Sequence, residues 1–471
     1  MSPEKGHVVV VVLGDVGRSP RMQYHAASLL EEGYHVTLVG YEGEALVPVL
    51  CRPHQNRLTV VRFSVPSPLF LRKILPLYLL IRVILLFIYV IKAFFVSIPR
   101  RIPANVILVQ NPPAMPLLLV AHFYCLWNGI FGKYRPALVI DWHNLGYTMI
   151  SSRTISKIAK LYEQWMAPYA TAHMCVTKAM KTFLQQNFQL NGQSINVLYD
   201  CPPKSFQPTS VRDQHELLSR LLSSKEISCP PTWYPNLDLT KQTLFTEQKG
   251  KNSFIYRPGR PALVTSSTSW TPDEDFGQLL EALVELDEHI TSYSASTNIN
   301  LKLVVIVTGK GPEKSMYETK ISKLTLDHIS IQTIWLEPAD YPRLLACADV
   351  GISLHTSTSG IDLPMKVLDL FGCQVPVCAR NFNCLSELVV NNENGRSFDS
   401  SSELKEHLWD LLKDLDQTKS CPPHSYGDLA VYSQALQGRK RWNDNWREHA
   451  LPIIHEFTTN TSRSVASGKI D

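Results

Sequence analysis

Short apolar runs recur along nearly the whole chain, each followed by a stretch of helical period, and this alternation leaves few folds open. The first run, VVVVVL (8–13), leads into the glycine loop GDVGRSPRM, then QYHAASLLEEGY, then the second run HVTLVGY (35–41). Strand, loop, helix and strand in that order make a βαβ unit. Further runs follow at 106–110, 137–141, 173–177 and 195–200. A second series has ALVTSS (262–267), LKLVVIVTG (301–309), ISIQTIWL (329–336), VGISLH (350–355) and PVCA (376–379). Alternation of this kind predicts an α/β fold: two Rossmann-like parallel-sheet domains with helices on the sheet faces.

The chain has 471 residues, 45% of them apolar, enough for two separate cores. The boundaries expected are 1–200 for the first domain, 261–440 for the second and 441–471 for a closing helix and polar tail. Between them, 201–260 holds two Cys-Pro-Pro triplets and many polar residues, and reads as a linker with an insertion. Two such halves would place ligands in a central cleft at the carboxyl ends of their strands.

Forty-six basic against 42 acidic residues give a net charge of +4, too slight for a nucleic-acid surface. Ten cysteines without a C-x-x-C pair form neither a disulfide framework nor a zinc ribbon, and read as reduced thiols of a cytosolic compartment. The Asp, Glu and His residues do not cluster at a spacing that would cage an ion, so no metal site is expected.

One segment departs from soluble composition. Residues 74–98, ILPLYLLIRVILLFIYVIKAFFVSI, carry only Arg82 and Lys92 as charges. A helix of that length would reach about 37 Å, and a hydrocarbon core is roughly 30 Å thick. A span inside the first domain would strand its second half unless 117–131 crossed back. The expectation is therefore an in-plane helix dipping into a membrane, with Arg82, Lys92, Arg100 and Arg101 toward headgroups. A buried core helix is the alternative.

The segment SGIDLPMKVLDLFGCQVPVCA (359–379) holds the densest candidate chemistry. Carboxylates such as Asp362 and Asp369 near a helix start can accept two hydroxyl hydrogen bonds from a ribose, while backbone N–H groups and the helix dipole face phosphate. Lys366 adds a point charge. In the first domain Asp15, in the glycine loop, and His143, in DWHN, follow strand ends and could serve as a general base. Arg18 and Arg21 carry guanidinium groups suited to phosphate oxygens.

PMKVLDLFGCQVPV resembles the donor-site segment P-x-K-x-x-E-x-x-A-x-G-x-P-V of GT-B glycosyltransferases, with Asp369 at the position of the ribose-binding Glu. LGDVGRSPRMQYHA, LVIDWHNLGY, SSTSWTPDEDF, VTGKGP, WLEPADYP and SLHTSTSGIDLPMKVLDLFG are similar, in order, to blocks of the chitobiosyldiphosphodolichol β-mannosyltransferase family. The resemblance implies GT-B architecture. It also implies GDP-mannose as donor, dolichyl-diphosphate-linked chitobiose as acceptor, and inversion to a β-1,4 product in N-glycan precursor assembly. Inversion by single displacement needs no covalent nucleophile. The first domain would then bind acceptor and the second the nucleotide sugar.

Where many GT-B relatives hold diphosphate with an Arg and a Lys, this chain has Ser269 and Glu274. The donor set expected instead is Ser269, Lys310 and Gly311 of VTGKGP, Ser359, Gly360, Asp362, Lys366 and Asp369, with a backbone nest at 357–360. The acceptor set is Gly14, Gly17, Arg18 and Arg21, with Asp15 or His143 as base. No tightly bound cofactor is implied, although a divalent cation such as Mg2+ could assist diphosphate departure.

Family members of animals and fungi carry a membrane anchor ahead of the first strand, so attachment here is expected to fall to 74–98. The resemblance places the chain at the cytoplasmic face of the endoplasmic reticulum membrane, where it could join other dolichol-pathway mannosyltransferases. The competing readings are a GT-B transferase with another donor or acceptor, and a non-catalytic homologue that scaffolds pathway enzymes.

Overall fold

The computed structural model describes residues 5–51, 56–66, 75–99, 102–132, 134–228, 230, 232–234, 237–297, 301–415 and 418–467. The chain divides into two compact units, Met1–Asp200 with Trp442–Asp471, and Cys201–Arg441. Each is built around a parallel sheet, as the alternation predicts.

The first unit runs β1 (His7–Asp15), α1 (Pro20–Glu31), β2 (His35–Tyr41), β3 (Leu58–Phe63), α2 (Leu75–Lys92), β4 (Val106–Asn111), α3 (Leu117–Phe131), β5 (Ala137–Trp142), α4 (Arg153–Met166), β6 (Ala172–Cys175), α5 (Lys178–Asn187) and β7 (Ile195–Val197). Its seven strands lie in the order β3-β2-β1-β4-β5-β6-β7. The inner strands β1, β4 and β5 are nearly all apolar because both sheet faces are covered. The chain winds outward from β1 to β3 and then returns to β4 beside β1, so the connections after β1 and β4 diverge and leave room at their carboxyl ends. Strand β3 escapes a reading by apolar runs because it is a half-exposed edge.

Helix α2 continues as a π-helical turn over Ala93–Ser97. Val90, Ala93, Phe94 and Ile98 are buried, while Val83, Ile84, Ile88, Ile91 and Val96 face outward. The segment is thus half core helix and half exposed apolar surface. Phe94 and Phe95 meet Tyr124 of α3 edge-on, and α3 itself exposes Phe123, Trp127, Ile130 and Phe131. Among the described residues no helix is long and apolar enough to cross a membrane. Arg100 and Arg101 lie outside the described residues.

The second unit holds α6 (Val211–Ser223), the antiparallel hairpin β8 (Thr246–Gly250) and β9 (Ser253–Tyr256), then β10 (Ala262–Ser267), α7 (Phe276–Thr297), β11 (Leu303–Thr308), α8 (Lys314–Ile321), β12 (Ile329–Ile334), α9 (Tyr341–Leu345), β13 (Val350–Ser353), α10 (Met365–Gly372), β14 (Val377–Arg380), β15 (Gly395–Phe398), α11 (Ser401–Leu412) and α12 (Gly427–Leu436). The sheet order is β12-β11-β10-β13-β14-β15, with the reversal of winding at β10.

Residues 201–260, expected as a linker, contribute to this unit's core. Leu217, Leu218 and Leu221 of α6 are buried with Ile306, Leu344 and Phe371. Ser210 caps α6 by accepting from Asp213 N. The expected closing segment is also part of a domain. Helices α13 (Trp442–His449) and α14 (Leu451–Ser467) belong to the first unit. There Trp442 Nε1 donates to Ser28 Oγ (3.1 Å), Trp446 Nε1 donates to His25 Nδ1 (2.9 Å) and Asn445 donates to Tyr199 O (2.8 Å).

Candidate active site

In the second unit, the connections after β10, β11 and β13 bring the candidate donor residues together at one end of the sheet. Glu274, 3% exposed, is their hub. Its Oε2 accepts from Thr268 Oγ1 at 2.8 Å and from the Ser269 backbone N–H. Its Oε1 ion-pairs with Lys366 Nζ of α10 and lies 3.8 Å from His355 Nδ1. Burial would raise this carboxyl, but the hydrogen bonds of His355 and Lys366, the lysine charge and the Ser269 N–H outweigh it and hold it down at about 2. Glu274 therefore fixes Lys366, which also lies 3.4 Å from Ser269 Oγ.

The 357–362 loop is folded on itself rather than open. Asp362 Oδ1 accepts from Ser357 Oγ and from Ser359 Oγ (3.1 Å), and Gly360 N donates to Ser357 Oγ (2.8 Å). The expected backbone nest is thus closed at Gly360, whose N–H is used inside the turn. A φ of +74° is what demands glycine there. Gly311 is likewise a packing residue, since a Cβ would lie 1.7 Å from Ser269 O. The Lys310 ammonium sits 3.8 Å from the centre of the Trp335 ring, a cation–π contact.

Asp369 is different. Its carboxylate makes no side-chain hydrogen bond or ion pair among the described residues, and burial pushes it up to about 7. An acceptor group held near the end of the sheet without a partner suits a ligand's hydroxyl groups.

The first unit has its own hub, which spacing did not single out. Asp141, wholly buried at the end of β5, accepts from Arg21 Nε (2.8 Å) and Nη2 (2.9 Å), His143 Nε2 (2.8 Å) and His25 Nε2 (3.2 Å). Burial opposes its charge, but Arg21 and His143 hold it ionised well below the usual carboxylate range. An ionised Asp141 can only accept, so both imidazoles present Nε2–H to it. His143, 21% exposed, is thereby left with Nδ1 as an acceptor.

Arg21 corrects the expectation of a phosphate ligand. It is 4% exposed, with its fork on Asp141 and Nη1 on Asp200 Oδ1 (2.7 Å), so its role is to balance buried charge. Asp15 is a loop former: Oδ1 accepts from Gly17 N (2.9 Å) and Oδ2 from Glu44 N (3.0 Å). The Glu44 N–H chief among these lowers its pKa, which weakens it as a base. Gly17 is required, because a Cβ would lie 2.4 Å from Glu44 O, whereas Gly14 meets nothing closer than 3.7 Å. Arg18 is exposed and pairs with Glu44 (3.0 Å). No group of three or more His, Cys, Asp or Glu side chains converges as a metal site among the described residues.

Residues 249–423 match the family described as glycosyl transferases group 1. Anabaena HepE, solved with UDP and glucose, is 16% identical and superposes with a TM-score of 0.57 over 97% of this chain and 99% of that one. Fold and match define the class: a GT-B glycosyltransferase. The chitobiosyldiphosphodolichol β-mannosyltransferase of Mus musculus is 38% identical over 95% of this chain and 89% of that protein. The Dictyostelium discoideum protein of the same name is 35% identical over 97% and 94%. An Arabidopsis thaliana relative, 38% identical over 98% and 100%, is named UDP-glycosyltransferase TURAN. The chain belongs to the chitobiosyldiphosphodolichol β-mannosyltransferase family.

Proposed function

We propose that this enzyme transfers mannose from GDP-mannose to dolichyl-diphosphate-linked chitobiose, with inversion to a β-1,4 linkage, at the cytoplasmic face of the endoplasmic reticulum. The observation that carries the donor half is the uncommitted Asp369 carboxylate on the same short helix as Lys366, which Glu274 holds in place. Asp369 would accept the ribose hydroxyls, and Lys366 would neutralise charge on the departing diphosphate. Ser269 and Lys310 border the same region. A divalent cation carried by the diphosphate would assist, and chelation of the assay measures that contribution.

The acceptor half rests on His143. Nδ1 would take the proton from the attacking sugar hydroxyl, while Asp141 fixes the ring through Nε2 and stabilises the imidazolium that forms. Arg18 is the guanidinium left to meet acceptor phosphate. Membrane attachment falls to the exposed apolar faces of α2 and α3.

The decisive experiment supplies detergent-solubilised enzyme with lipid-linked chitobiose and either GDP-mannose or UDP-sugars, and digests the product with linkage-specific mannosidases. A β-mannosidase-sensitive product from GDP-mannose alone is expected. Transfer from a UDP-sugar instead, the donor in the Arabidopsis relative's name, would overturn the donor assignment.

A further inference from the structure

An open cavity of about 510 Å3 lies against α4 in the first unit, and the reaction as described leaves it unused. Its size is within the range of about 300 to 1,000 Å3 common to small-molecule sites. Pro113 and Met115 after β4, Met149 after β5, and Ile155, Ile158 and Tyr162 of α4 are among the residues that form its wall. The lining has a single carboxyl group, Glu163, and a single carboxamide, Gln110. A sugar, with a hydroxyl on nearly every carbon, would leave most of its hydrogen bonds unmade on such a surface.

Two further features connect this cavity to its surroundings. Gln110 Oε1 accepts from Ser19 Oγ, at the end of the glycine loop that holds Arg18. On the other side, Ile155 and Ile158 belong to an exposed apolar stripe of α4 that continues through Leu161 and Trp165, each more than half exposed. Their spacing puts them on one helix face. Exposed Arg153 and Lys157 accompany the stripe and would suit the phosphates of a lipid. An apolar helix face beside cations, opening into an apolar cavity that adjoins the glycine loop, matches a ligand with an anionic head and a hydrocarbon tail.

We propose that this cavity is a subsite for the first isoprene units of the acceptor's polyprenyl chain, entered from the exposed stripe of α4. The inference rests on the reading that the acceptor is lipid-linked chitobiose. Glu163 is compatible with such a tenant. Its Oε1 accepts from Gly146 N at 3.0 Å and holds the turn that carries Met149. Its Oε2 is buried beside Asn111, and burial outweighs the Asn111 and Gly146 hydrogen bonds and pushes the group up to about 7, so that the neutral acid is well populated near neutrality.

The test compares two acceptors with the same chitobiosyl diphosphate head, one on a long polyprenyl chain and one on a short alkyl chain, using the full chain in mixed micelles. Ala159→Phe fills the cavity from α4, and Ile158→Asp places a charge at its mouth. Each variant is expected to raise KM for the polyprenyl acceptor about tenfold, or about 1.4 kcal/mol. KM for the short-chain acceptor and for GDP-mannose should stay as in the wild type, a split that misfolding would not produce. Equal effects on both acceptors, or an unchanged KM for the polyprenyl acceptor in both variants, would overturn the subsite while leaving the mannosyltransferase reading intact. Wild-type enzyme inactive on both acceptors would instead overturn that reading, and the subsite with it.

Discussion

His143 Nε2 lies 2.8 Å from Asp141 Oδ2, and Asp141 is fully buried and ionised. This pair distinguishes the two candidate bases. His143→Ala should lower kcat by about 10² to 10⁴ with little change in either KM, the signature of a group acting in proton transfer. Asp15→Asn should keep turnover and instead loosen the glycine loop, since an amide oxygen still accepts from Gly17 but the second carboxylate oxygen is lost. Near-normal turnover in His143→Ala would move the base elsewhere.

Asp369→Ala should weaken GDP-mannose binding by about 1.5 to 3 kcal/mol, a ten- to hundredfold loss, without unfolding the second unit. Because the free carboxyl titrates near 7, wild-type affinity should rise as pH increases through that value, and Asp369→Asn should flatten the rise. The stability effect has the opposite sense. A carboxyl raised by folding favours the folded state only while protonated, so stability falls as pH rises from about 4 to about 7. Asp369→Asn should therefore unfold at higher temperature than wild type at pH 8. Calorimetric titration of GDP and thermal melts at pH 6 and 8 check both signs.

Lys366→Ala should both weaken the donor and destabilise the second unit, because Glu274 would keep its buried charge without its cation. A loss of roughly 1 to 3 kcal/mol is expected, below the fully buried range because Lys366 is 26% exposed. Glu274 is depressed to about 2, so its contribution is complete above the unfolded carboxylate range and is lost as pH falls toward 2. Urea titrations at pH 7 and pH 3 should show the penalty of Glu274→Gln shrinking at the lower pH. A constant penalty would remove the ion pair as its cause.

Replacing Ile84, Ile88 and Ile130 with Ser should release the protein from anionic lipid vesicles. Each side chain is about half exposed or more, so the thermal transition should move little. Undiminished flotation with vesicles would place attachment outside α2 and α3.

Patterns local in sequence were the legible ones. The apolar runs located the inner strands because burial on both faces leaves an unbroken apolar string, while β3 and β15 are edges with mixed exposure and no such string. Helix α6 had a readable signature, Ser210 before an amphipathic stretch, but proline-rich neighbours obscured it. Among the candidate donor residues, Lys366 and Asp369 lie three residues apart on one helix and could be read from spacing. Glu274 joins Lys366 only through folding, across 92 residues. The Arg21–Asp141 contact spans 120 residues, which is why Arg21 read as a phosphate ligand rather than a buried counterion. The D-x-H spacing of Asp141 and His143, which directs both side chains to one side of an extended segment, was the local clue.

The return of α13 and α14 to the first unit makes that unit discontinuous, with residues 201–441 inserted between its two parts. On a ribosome, therefore, the domain begun first is completed last. Until Trp446 emerges, His25 Nδ1 lacks the indole N–H that it accepts, and the face of α1 that buries Ser28 stays uncovered. The inserted unit is contiguous and has its own core, so it can close while the earlier one waits. A premature stop ahead of Trp442 would thus spare the second unit and leave unfinished the first, which carries His143.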